Sequence, residues 1–180
     1  LINLSEEVKP TNQKPLVVAN PNFNLDKNSI DKNTKKTGFS YNIQLRSLDL
    51  SSFKWNSLPG TAKEGKIISK LIGANLLTQD EATVSAIQKQ SSPKLLHIAS
   101  HSYFLPTQEK GENPLLRSGI VLAGANEPEL NSYDDGYLTA LELAKLDLKG
   151  TELVVISGCE SGLGDIRSGE SVYGLKRSIT

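Results

Sequence analysis

The sequence predicts an open α/β sheet, mainly parallel and flanked by helices, and three observations carry that expectation. Apolar runs of strand length recur along the chain, helix-start signals stand between them, and the runs close on turn-forming residues. Strands alternating with capped helices pair in parallel and take helices on both faces. The elements can be read in order.

"PLVVAN", residues 15–20, is a short apolar run closed by Asn20-Pro21 and reads as a buried strand. A polar insertion over 22–58 follows, rich in Lys, Asn and Ser, with few apolar anchors before Phe53 and Trp55. Its lysines read as a solvated surface. "TAKE" at 61–64 has the capping-box spacing, in which the Thr and Glu side chains each satisfy a free backbone N–H. Ile67, Ile68, Leu71 and Ile72 supply an apolar stripe behind it. "TQDE" at 78–81 repeats the box before Val84, Ala86 and Ile87, and "TALE" at 139–142 opens the helix "TALELAKL". "KLLHIAS" (94–100), "SGIVLAGAN" (118–126) and "TELVVIS" (151–157) are the further strands, and a helix is expected near Gly169. The sheet therefore has at least four strands, with no internal repeat.

Length and composition set the class. The 180 residues suit one domain with a substantial core, and residues 1–14 form a leading segment. Twenty basic and twenty acidic residues cancel, so no overall field draws the chain to nucleic acid or a membrane. No apolar run approaches the roughly 20 residues that cross a bilayer. "LINLSEEVKP" lacks the pattern of a signal peptide. The single cysteine suits a reducing, cytoplasmic setting. The chain contains no methionine and stops in "ESVYGLKRSIT", where Val172, Leu175 and Ile179 begin an apolar helix face. The expectation is a piece of a longer protein whose C-terminal part is missing.

In open parallel sheets, reactive residues gather beyond the carboxyl ends of strands. "KLLHIAS" delivers His101 and "TELVVIS" delivers Cys159. On neighbouring strands, their backbones would lie about 4.8 Å apart, close enough for an imidazole to assist a thiol nucleophile. That assistance matters because a free thiol, with a pKa of about 8.5, is mostly protonated at neutral pH. Gly158, Gly162 and Gly164 allow a sharp bend and room for a substrate chain. The competing reading is that the cysteine and the histidine are packing residues, and position alone leaves both open.

A metal site is rejected. His97 and His101 are four apart, but four strand residues span roughly 13 Å, so the two would share a face without meeting at one ion. A hydrolase nucleophile elbow places its histidine after the nucleophile, the reverse of the order here. The His-then-Cys order matches caspase-type proteases, with the histidine about 50 residues upstream.

Four stretches carry a resemblance: "LPGTAKEGKII", "LLHIASHSYF", "NPLLRSGIVLAGAN" and "DGYLTALELAKLDLKGTELVVISGCESGLGDIRSGESVYGLKRS". Together they closely resemble the CHAT domain, a family of caspase-like and separase-like cysteine peptidases found in cyanobacteria and other bacteria and often joined to tetratricopeptide repeats. The resemblance implies a caspase-hemoglobinase fold, a three-layer α/β/α arrangement whose pattern continues past Thr180. It implies His101 as catalytic base, Cys159 as nucleophile, and an oxyanion hole from the backbone N–H groups of Ser102 and Cys159. It also implies a substrate cleft bordered by Asp165 and neighbouring residues; Glu160, Asp165 and Glu170 are the candidate binding acids, for a Lys or Arg before the cut, and read equally well as exposed loop acids. The partners implied are a protein or peptide substrate and tetratricopeptide or other regulatory regions, with no cofactor and no metal. Where the family usually has glycine after the histidine, this chain has Ser102, which would be strained at positive φ. Two alternatives follow: a weak or inactive caspase-like interaction module, or another cysteine-dependent acyl transferase or amidase.

Overall fold

The computed structural model describes residues 10–24, 50, 53–105, 113–128 and 134–158. The bulk of the expected polar insertion, the helix near Gly169 and everything from Cys159 onward lie outside the described residues. Within them the chain is a mixed α/β structure with a four-stranded parallel sheet, a three-stranded antiparallel sheet and helices.

The parallel sheet has the strand order β2-β1-β3-β7, from β1 (Leu16–Pro21), β2 (Asn75–Gln79), β3 (Leu95–Ala99) and β7 (Leu153–Ser157). β1 is nearly continuous in apolar residues because it lies between β2 and β3 and is covered on both faces. Alternate residues serve different faces. Leu16, Val18, Leu96 and Ile98 join a core with Val84, Ile87, Ile120, Leu138 and Leu143. Val17 and Ala19 instead meet α1 (Pro59–Ile72), which comes close because residue 65 is glycine; a Cβ there would stand 2.5 Å from that of Ala19.

The α1 start corrects the expected box at 61–64. Pro59 occupies the first turn, where its preset φ suits a helix and its missing N–H costs nothing, so the helix begins ahead of Thr61. Thr61 Oγ1 instead donates to the Leu58 carbonyl and accepts the amide of Asn20, at 2.8 and 3.0 Å. Gly73 at φ 65° ends the helix in the left-handed conformation that glycine adopts without strain. The box at 78–81 is corrected too. "NLLTQ" is β2, unmarked in the sequence because its exposed edge position leaves only Leu76 and Leu77 as signal. Thr83 caps the short helix α2 (Val84–Gln88), accepting the amide of Ala86.

The third box forms as expected, although its helix α3 (Ala140–Leu143) stops short of "AKL". Thr139 Oγ1 accepts the amide of Glu142 at 3.2 Å, and Glu142 Oε2 accepts that of Thr139 at 2.9 Å. Thr139→Ala should therefore cost about 1 kcal/mol of stability, read as a lower urea midpoint at unchanged slope. An unchanged midpoint would show that the box contributes nothing.

A third correction concerns "SGIVLAGAN". Its strand β5 (Ser118–Val121) lies outside the parallel sheet, antiparallel between β4 (Ser102–Phe104) and β6 (Tyr137–Thr139). The apolar run hid this, since a fully buried strand reads alike in either sheet. The antiparallel sheet carries a second core of Phe23, Leu50, Trp55, Tyr103, Leu105, Val121, Ala125 and Tyr137.

Asp134 ties the start of α2 to the segment before β6, accepting the amides of Ser85 and Val84 at 2.8 and 3.3 Å. Burial raises its pKa above the ordinary 3.8, against the pull of those N–H groups. The folded state thus holds the proton more tightly than the unfolded chain. The stability from this group is full below the unfolded pKa and is lost as pH rises through the folded value. Asp134→Asn should flatten that decline across the weakly acidic range in unfolding titrations run at stepped pH. An unaltered slope would contradict the assignment.

Candidate functional site

The site begins where the chain leaves one sheet for the other. β3 ends at Ala99, Ser100 and His101 make the turn, and β4 starts at Ser102. Ser100 is held from both sides. Its amide donates to the Ser157 carbonyl at the end of β7 at 3.0 Å, and its hydroxyl donates to the Val121 carbonyl of β5. β3 and β7 are hydrogen-bonded parallel neighbours with Ala99 opposite Ser157, the adjacency that His101 and Cys159 require.

His101 is buried, 7% exposed, between the rings of Phe23 and Trp55 at centroid distances of 5.3 and 5.4 Å. Its Nε2 lies 2.8 Å from the Asn56 carbonyl oxygen. A carbonyl only accepts, so Nε2 carries the hydrogen, and in the neutral ring Nδ1 is then the basic nitrogen. The bond fixes both the tautomer and the orientation of the ring.

His97 sits within β3, two residues before its end. The strand stops at Ala99, and His97 turns to α1, its Nε2 2.9 Å from Glu64 Oε1. Among the described residues, no three His, Cys, Asp or Glu side chains gather where they could hold a metal ion.

Ser102 lies in extended backbone without a positive φ, so serine meets no strain there. The amides of Leu105 and Val121 donate to the carbonyls of Arg117 and His101, which fixes the odd residues of β4 as the bonded pairs with β5. Ser102, opposite Ile120, is a non-bonded pair, and its N–H points away from β5.

Gly158 is the last described residue before the cysteine. A Cβ built on it would stand 2.7 Å from the Ser100 carbonyl oxygen and 3.5 Å from Ser102 Oγ. Its φ is not positive, and its missing Cβ is what permits this close approach. Cys159, Glu160, Gly162, Gly164, Asp165 and Glu170 lie outside the described residues.

Sequence reasoning missed the Asn56 carbonyl and the aromatic cradle. A backbone acceptor leaves no side-chain signal, and Phe23 and Trp55 stand on opposite flanks of a long polar stretch. Trp55 Nε1–H donates to Tyr137 Oη at 3.0 Å, and that hydroxyl donates to the Ala125 carbonyl at 2.9 Å. Burial pushes the Tyr137 pKa up to about 12, so the phenol stays a donor.

No described helix is long and apolar enough to cross a membrane. No curated protein and no solved structure matches the chain. The family model of the CHAT domain matches it over residues 1–180, and with the His101 turn beside the end of β7 this places the chain in the CHAT family of caspase-like peptidases.

Proposed function

We propose that this protein is a cysteine endopeptidase that hydrolyses peptide bonds through a His101/Cys159 dyad. One observation carries the reading: Gly158 lies directly against the Ser100–Ser102 turn, whose His101 imidazole is already oriented by a carbonyl. The next α-carbon is tethered about 3.8 Å from that of Gly158, so the thiol starts from the same corner.

His101 Nδ1 takes the thiol proton as the Cys159 sulfur bonds to the scissile carbonyl carbon. The oxyanion that forms is met by the N–H of Ser102, already turned from β5, and by that of Cys159. Each such donor is typically worth about 3 kcal/mol in the transition state. The proton on His101 passes to the leaving amine, the C–N bond breaks, and a thioester remains. Water, deprotonated by His101, then releases the acid and restores the thiol. The reaction uses no metal and no organic cofactor.

Glu160, Asp165 and Glu170 border the cleft in this reading and favour a Lys or Arg before the cut. The remaining chain completes a three-layer α/β/α caspase-hemoglobinase fold, tetratricopeptide regions regulate it, and the setting is cytoplasmic. The inactive-module alternative loses one motive, since Ser102 carries no backbone strain.

The test is cleavage of a peptide library by the purified protein and by Cys159→Ala, with mass spectrometry of the products. The proposal expects cleavage after basic residues by the first and none by the second. Equal cleavage by both would refute it.

A further inference from the structure

Asn126 closes the run "AGAN" and is buried, although the peptidase chemistry never touches it. Its carboxamide meets one backbone residue from both sides. Oδ1 accepts the Trp55 amide at 2.8 Å, and Nδ2 donates to the Trp55 carbonyl at 3.0 Å. The other Nδ2 hydrogen goes to Asn24 Oδ1 at 2.8 Å. The Asn126 amide donates to the Phe23 carbonyl at 2.9 Å, and its own carbonyl accepts Lys54 Nζ at 3.1 Å.

These bonds converge on His101. The two rings packed at a tilt against the imidazole belong to Phe23 and Trp55, and the carbonyl that accepts its Nε2–H belongs to the next residue, Asn56. All three lie in segments outside regular secondary structure, or just beyond β1, with no ladder to hold them. We infer that Asn126 is the positioning residue of the site: its carboxamide fixes Trp55, and through it Asn56, beside the Phe23 that its backbone amide holds, and this cradle sets the tautomer and orientation of His101.

The side-chain requirement is narrow. A carboxamide offers donor and acceptor together, matching the N–H and C=O of an extended residue. Aspartate keeps the acceptor and loses both donors, while alanine loses everything and strands buried backbone groups. The inference rests on the proposed role of His101 as base, but its test separates the two.

The chain has two histidines, so a long-range imidazole proton–nitrogen spectrum of the 15N-labelled full chain reads both at once. In mildly alkaline buffer, His101 should show a protected Nε2–H and a pyridine-type Nδ1. Asn126→Ala should lose that protected proton and show mixed tautomers. His97, held by Glu64 of α1 and not by the Asn126 bonds, should not move. Turnover should fall roughly 100-fold with KM changing far less, the scale expected when a catalytic group is misplaced by about 1 Å. Ile87→Ala, in the other core, should lower the melting temperature without touching the His101 pattern.

If Asn126→Ala fails to fold, Asn126→Asp gives the same readout, with a smaller loss of the protected proton. A folded variant with the wild-type His101 pattern and turnover overturns the inference. If the pattern moves as expected while the wild-type protein shows no Cys159-dependent cleavage, the peptidase proposal falls and the positioning role stands.

Discussion

His101→Gln is expected to lower kcat/KM for peptide cleavage by about 10²–10⁴-fold, the usual contribution of a positioned general base. Glutamine is the informative replacement because its amide N–H can still reach toward the Asn56 carbonyl, while it has no basic nitrogen. Alanine would leave a gap between Phe23 and Trp55 and a carbonyl without its donor, so lost activity would be mixed with lost stability. The comparison needs circular dichroism and thermal unfolding beside the kinetics. A folded His101→Gln protein within tenfold of wild-type activity would remove His101 from the mechanism.

Gly158→Val is expected to damage fold and activity together. The new Cβ would sit 2.7 Å from the Ser100 carbonyl oxygen, closer than real Cβ contacts come. Ser100 has little freedom to retreat, since its amide is tied to Ser157 and its hydroxyl to Val121. The chain at 158 therefore has to move, and it carries the cysteine with it. Overpacking of this kind costs about 1–3 kcal/mol, and a displaced nucleophile loses roughly 100-fold in rate. Gly158→Ala should show the same pattern less strongly. Urea unfolding and single-turnover kinetics on one preparation would measure both effects. Wild-type stability and rate in the valine variant would show that the end of β7 does not need its close approach to the His101 turn.

Much of the parallel sheet was legible because its strands are short apolar runs bounded by Pro, Asn or Ser, and β1, β3 and β7 lie where those runs fall. β2 was not, since an edge strand half open to solvent carries little apolar signal. β5 was legible as a strand but not as a member of another sheet, because pairing is a long-range choice that local pattern does not encode. Capping boxes were legible only in part. Thr139 and Glu142 form theirs, whereas Pro59 starts α1 before Thr61 can act, and Thr78 lies in β2. For the site, a histidine past a strand end was enough to single out His101. The groups that orient it were not readable: one is a backbone carbonyl, and the residue that fixes that carbonyl, Asn126, lies 71 positions from Trp55.

The central claim is that the sole thiol and the His101 imidazole act as a pair, and the pH profile of alkylation tests it most directly. With one cysteine in the chain, iodoacetamide consumption by the full protein reports Cys159 alone. A paired thiol should react at neutral pH well above the rate of a free thiol, and His101→Gln should slow it and move its midpoint toward the ordinary value of about 8.5. Identical profiles for the wild-type and His101→Gln proteins, both titrating like a free thiol, would contradict the account.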